Sequence, residues 1–162
     1  MLRLSKKADY ALIAMKHLAQ SASRAEARTR EGGTGAPSAS AREIAEQYDI
    51  PIELLAKVLQ RLVRTGLLVS TQGTRGGYTL SRPSALISVA DVVEAIDGPF
   101  TVTACSSDKH DCDQYGKCSV RGPLWQIRER IVQTLGMVTL ADMASDHEPT
   151  SAAPVAVMRR GA

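Results

Sequence analysis

Residues 40–83 read SAREIAEQYDIPIELLAKVLQRLVRTGLLVSTQGTRGGYTLSRP, and their order decides the fold. Ser40-Ala41-Arg42-Glu43 has the pattern of a capping box. The Ser hydroxyl accepts from a backbone N–H three residues on, and the Glu reaches back to the cap. The short helix it opens ends in a tight turn at Asp49-Ile50. Pro51 then starts a second helix, because its fixed φ and missing N–H suit a first turn. Leu55, Val58, Leu59 and Leu62 fall on one side of that helix. Glu53, Lys57, Gln60, Arg61 and Arg64 fall on the other, and Gly66 provides the exit. Leu67–Thr71 and Tyr78–Ser81 read as two short strands. Gln72-Gly73-Thr74-Arg75-Gly76-Gly77 joins them as a hairpin loop with an arginine at its tip.

Two short helices, a tight turn and a basic second helix form the helix-turn-helix pattern, and the hairpin adds a wing. The chemistry of duplex recognition needs these parts. A helix fits the major groove, where side chains read base edges. An arginine on a hairpin reaches the neighbouring minor groove, where negative potential concentrates. The start of the Ser40 helix is a natural seat for a phosphate. The candidate DNA-facing set is therefore Ser40, Arg42, Glu53, Lys57, Gln60 and Arg61, with Gln72, Thr74, Arg75 and Gly76 in the wing. The competing explanation is a compact helix–helix–hairpin with a solvated charged face, or one that binds protein.

Working outward, residues 5–20 predict a helix with Tyr10, Ile13, Ala14, His17 and Leu18 on one face. His17 reads there as a packed, satisfied histidine. Residues 21–39 hold no large apolar residue and three glycines, and read as a flexible insertion whose start could extend the first helix. Ser88-Val89-Ala90-Asp91 is a second capping box, opening a helix that closes at Gly98-Pro99. Gly122-Pro123 opens a long helix to roughly Leu140, with Leu124, Ile127, Ile131, Leu135 and Val138 at steps of three and four. The expected fold class is mainly α with a small β-wing. A winged helix-turn-helix domain spans 1–98, a cysteine loop 99–122, a dimerisation helix 123–143 and a disordered tail 144–162.

Composition narrows the function classes. The chain has 162 residues, 44% apolar and only 4% aromatic, which supports a modest core and excludes a base-stacking aromatic platform. No window of eighteen consecutive apolar residues is present, and the start lacks the apolar run of a secretory signal. A cytoplasmic location, with no membrane partner, is the expectation. Residues 1–82 carry 13 Lys/Arg against 7 Asp/Glu, while residues 83–162 carry 7 against 10. A basic first half joined to an acidic second half suits a polyanion-binding module with an appended sensor. No Ser/His/Asp, Cys/His or paired-carboxylate arrangement points to catalysis, so the chain does not read as an enzyme.

Cys105, Cys112 and Cys118 fall within fourteen residues of one polar loop. Three cysteines are an odd number for a disulfide framework. Thiolates are soft, strong donors suited to iron–sulfur clusters and zinc. The loop is too polar to bury three thiols separately, although structural or merely reactive thiols are the plain alternative. His110 reads as an exposed loop histidine and His147 as an inert tail residue.

Taken together, LSKKADYALIAMKHLA, the 40–83 segment, ISVADVVEAIDG and the spaced cysteines resemble one family. It is the Rrf-two family of winged-helix transcription regulators, which includes iron–sulfur regulators of the IscR and NsrR type. MLRLSK and the segment from Cys118 to Trp125 are most similar to regulators of the SUF iron–sulfur assembly operon. The resemblance covers roughly residues 1–20 and 40–143. It implies a homodimer on double-stranded promoter DNA, with RNA polymerase as a further candidate partner. It also implies an iron–sulfur cluster, 2Fe-2S or 4Fe-4S, on the three cysteines, and a repressor that senses cluster status, redox state or nitric oxide. Where IscR-type relatives carry a ligating His, this chain has Arg121, which cannot ligate. NsrR-type relatives imply Asp9 of the partner subunit as the fourth ligand, with solvent, His110 or a small molecule as alternatives. Gln72 stands where many relatives carry Arg, and Ala56 where some carry Glu, so operator preference does not carry over. A cluster-free regulator responding to thiol oxidation or a small effector, and a cluster carrier or scaffold, are the competing functions.

Overall fold

The computed structural model describes residues 4–31, 38–73, 76–102, 113–114 and 116–145. Helix α1 spans Lys6–Arg30, α2 Ala41–Gln47 and α3 Ile52–Arg64. Strands β1 (Leu68–Thr71) and β2 (Gly77–Leu80) form an antiparallel pair with Leu68 opposite Leu80 and Thr71 opposite Gly77. A single 3₁₀ turn at Ser84–Leu86 leads to α4 (Val89–Asp97), α5 (Arg121–Met137) and α6 (Leu140–Ala144). The mainly helical fold with a two-stranded wing is the one the 40–83 segment predicts.

Local chemistry explains the boundaries. Ser40 and Ser88 each cap a helix in a complete capping box, with Glu43 and Asp91 as the returning carboxylates. Asp49 takes φ +51 at the α2–α3 turn, a conformation Asp tolerates better than most side chains. Ile50 N–H donates back to Ala45 O at 3.0 Å and its side chain is buried, which fixes the angle between the two helices. Leu55, Val58, Leu59 and Leu62 are all buried, so one face of α3 is committed to the core. That core gathers Met15 and Leu18 of α1, Ile44 of α2, Ile87, Val92 of α4 and Leu140 of α6. Burying each such side chain contributes about 1.5–3 kcal/mol.

The wing is fastened to the start of α2. Ala39 and Tyr78 exchange backbone hydrogen bonds, N–H to O, at 3.2 and 2.9 Å. Gly77 is required at this crossing, because a Cβ there would sit 2.8 Å from Ala39 O, which is backbone and cannot swing away.

The start of the 21–39 segment does extend the first helix, and further than expected: α1 runs on to Arg30, so residues 21–30 are helical rather than flexible. Ala22, Ala25 and Ala27 are strong helix formers, and the Thr29 hydroxyl donates to Ala25 O at 2.9 Å. The long helix does not reach Leu140. It ends at Met137, Val138 is extended, and Thr139 caps α6 in a third capping box with Asp142. Val89 N–H donates to Val138 O at 2.8 Å and Leu140 N–H to Ile87 O at 2.9 Å, so the chain after α5 turns back into the winged unit. A local capping signal and an apolar anchor at Leu140 outweighed the helical periodicity of Val138.

Candidate nucleic-acid interface and cysteine loop

The outward face of α3 follows from its buried one. Glu53, Lys57, Gln60 and Arg64 lie opposite the buried stripe at steps of four, three and four, and all four are exposed. Arg64 belongs to this row although it was not in the candidate set; its spacing from Gln60 is the signal that identifies it. Ile52, 44% exposed in the first turn, adds an apolar group of the kind that packs on a thymine methyl. Arg61 is turned to the flank, where its Nε–H donates to Ala95 O of α4 at 2.9 Å.

Ser40 is occupied by its own helix. Its hydroxyl accepts from Glu43 N–H at 3.1 Å and its N–H donates to Glu43 Oε2 at 3.4 Å. A phosphate at this seat would meet the Glu43 carboxylate. Arg42 is exposed and sits 3.9 Å from Glu46, an exposed pair worth little and easily exchanged for another anion. In the wing, Gln72 is exposed, and Gly76 N–H donates to Gly73 O at 2.9 Å. Thr74 and Arg75 lie outside the described residues.

Behind the interface, His17 is 6% exposed. Its Nδ1 lies 3.3 Å from the hydroxyl of Tyr48, the residue that ends α2, and the two rings meet edge to face. Nε2 is buried with no hydrogen-bond partner among the described residues, so this histidine is half satisfied rather than fully. Burial holds its pKa below the ordinary 6.5; Arg24 acts in the same direction and Glu43 against it.

Of the cysteine loop, Cys118 is half-buried three residues before α5. Cys105, Cys112 and His110 lie outside the described residues. Among the described residues no three His, Cys, Asp or Glu side chains gather as a metal site. Asp9 is exposed in the first turn of α1. That turn abuts the end of α4, because Asp97 accepts hydrogen bonds from Ser5. Chain direction then leads from Asp97 through Gly98 and Phe100 into the loop.

A family model described as an iron-dependent transcriptional regulator, Rrf2, matches residues 4–146. The chain belongs to the Rrf2 family. It is 32% identical over 148 residues to the HTH-type transcriptional regulator IscR of Xenorhabdus nematophila, covering 91% of this chain and 82% of that one. Among solved structures, IscR of T. potens is similar with a TM-score of 0.65 and 27% identity, covering 91% of this chain and 89% of that one. CymR, the global cysteine regulator of B. subtilis, has the same fold with a TM-score of 0.66 and 24% identity, over 91% of this chain and all of that one. This Rrf2 member is thus a DNA-binding transcription regulator, and its family is not enzymatic. Among the described residues no helix is long and apolar enough to cross a membrane.

Proposed function

We propose that this chain is a homodimeric regulator, most simply a repressor of iron–sulfur assembly genes, whose grip on promoter DNA depends on an iron–sulfur cluster held by Cys105, Cys112 and Cys118. The observation that carries this reading is the donor set itself. Three thiols lie within fourteen residues between α4 and α5, a set that fits iron–sulfur ligation. The exposed carboxylate of Asp9 is the candidate fourth donor, offered across the dimer as Asp9 of the partner subunit. When bound, the cluster supplies thiolate-held iron that responds to oxidants, nitric oxide and iron supply. The chain's own part is to hold α5 against the end of α4, where Arg128 Nε–H donates to Phe100 O. Lys57, Gln60 and Arg64 read the major groove, and Arg42 with the wing residues Gln72 and Arg75 holds phosphates.

Dimerisation is assigned to α5. None of its residues is buried, while Ile127 is 47% and Trp125 41% exposed. Ile127, Ile131 and Leu135, with Arg130 and Thr134, line an apolar groove of about 270 Å³. A second copy seated there would cover it and present two recognition helices to half-sites about 34 Å apart.

The test is anaerobic purification with iron and sulfide quantitation, followed by salt-dependent DNA binding before and after cluster removal. Coloured protein with iron and sulfide, and a change in DNA affinity on stripping, is the expected result. A colourless, iron-free preparation that binds DNA as well under reducing conditions would replace the cluster with thiol oxidation or a small effector. Coloured protein without DNA binding would point to a carrier.

A further inference from the structure

The last turn of α4 is held from several sides. The end of a helix leaves carbonyls without intrahelical partners. Ala95 O is one of these, and Arg61 of α3 fills it through Nε–H at 2.9 Å. A cation placed there also opposes the negative end of the α4 dipole. Two residues on, Asp97 accepts the N–H and hydroxyl of Ser5, the cap of α1, at 3.1 and 2.5 Å. Three residues further, Phe100 O accepts Nε–H of Arg128 from α5 at 2.7 Å. Arg128 is itself steadied by Glu129 at 2.8 Å and by the Trp125 ring at 6.0 Å. Residues 95–100 therefore join the recognition helix, the first helix, the entry to the cysteine loop and α5.

Arg61 is the one member of this joint that belongs to the recognition helix. It stands on the flank of α3, away from the Glu53–Lys57–Gln60–Arg64 row, and its Nε–H is already committed to protein. Base contacts are expected from the row and phosphate contacts from Arg42 and the wing. A hydrogen bond between two packed helices instead makes the position of one depend on the other.

We infer that Arg61 is a positioning residue: it carries displacements of the Ala95–Phe100 segment into the recognition helix rather than contacting DNA. The inference rests on the family's DNA binding, and it holds whether or not the loop carries a cluster.

Two measurements on the full-length protein decide it. The first is the salt dependence of binding to mixed-sequence duplex DNA. Loss of a phosphate contact lowers the slope by about one. R42Q is expected to do so, while R61Q leaves the slope at its wild-type value; a fall of about one for R61Q overturns the inference. The second is amide hydrogen exchange in the last turn of α3, read in a double-mutant cycle. R128Q releases Phe100 and is expected to speed exchange there several-fold while Arg61 is present, with no further effect in R61Q. No acceleration by R128Q, or the same acceleration in both backgrounds, also overturns it. Failure of the wild type to bind the duplex would instead count against the DNA-binding reading, and the exchange cycle would still decide the coupling.

Discussion

Asp97, the last residue of α4, completes the N-terminal cap of α1 by accepting from both the backbone N–H and the hydroxyl of Ser5. In a capping box the third helical residue supplies that carboxylate. Here the third residue is Ala8, which has none, although its N–H does donate to the Ser5 hydroxyl at 3.1 Å. A carboxylate 92 positions away in sequence fills the vacancy, so the cap doubles as a tertiary tie. Cap removal costs about 1 kcal/mol. S5A and D97A should each lower the melting temperature by about 2–4 °C. Because they remove the same tie, the double variant should melt little lower than either single one. Additive losses in thermal unfolding would show that the two residues act separately.

His17 sets a pH dependence. Its folded pKa lies below the ordinary 6.5, chiefly through burial. The neutral ring is the form the fold favours, so the unfolded chain binds the proton more readily. Its contribution to stability is therefore complete above the unfolded pKa and declines as pH falls below about 6.5 toward the lowered value. Urea midpoints should drop between about pH 7 and pH 5, and more steeply for wild type than for H17F. Parallel pH profiles for the two proteins would count against this.

Gly77 tolerates no side chain. G77A places a methyl against Ala39 O and should break the Ala39–Tyr78 bridge that fastens the wing. A destabilisation of about 1–3 kcal/mol is expected, as for other overpacked sites. A chemical denaturation curve indistinguishable from wild type would rule the clash out. G73A, by contrast, meets nothing within 4 Å and acts only through its positive φ of +124.

On the DNA face, Gln60 and Arg75 should separate two kinds of contact. Q60A is expected to relax preference at one base position by about 1–3 kcal/mol. R75A should weaken binding to all duplexes alike and lower the salt slope by about one. Competition assays with single-base operator variants distinguish the two; an R75A effect confined to one sequence would contradict its assignment to phosphate.

In the cysteine loop, C112A should lose bound iron. D9A should retain iron when fresh and release it faster in a chelator challenge, since a carboxylate that completes a site governs access to it. Unchanged release rates would leave Asp9 as a first-turn acidic residue and nothing more.

Sequence pattern carried the local grammar of the fold. Both capping boxes at Ser40 and Ser88, the Pro51 start, the Leu55–Leu62 stripe and the wing strands were legible because each is written within a few residues. What was not legible was tertiary. Helical spacing places Arg64 in the outward row, but nothing local commits Arg61 to Ala95 O; only the packing of α3 on α4 does that. The Thr139-Asp142 pair has the spacing of a cap, but the apolar repeat running to Val138 carries the helical pattern past it and hides the break. The exposed positions Glu53, Lys57 and Gln60 of α3 were otherwise visible, whereas the occupancy of Ser40 by Glu43 shows how a capping carboxylate can fill the anion seat it helps create.

The short α6 has a practical consequence. With Leu140 fully enclosed and the strand-like pairing of Ser88 with Thr139 closing the seam, the protein cannot be trimmed to its reading head by stopping at the end of α5. A fragment ending at Met137 would expose Ile87 and forfeit a central plug, so the shortest version worth expressing runs at least to Ser145.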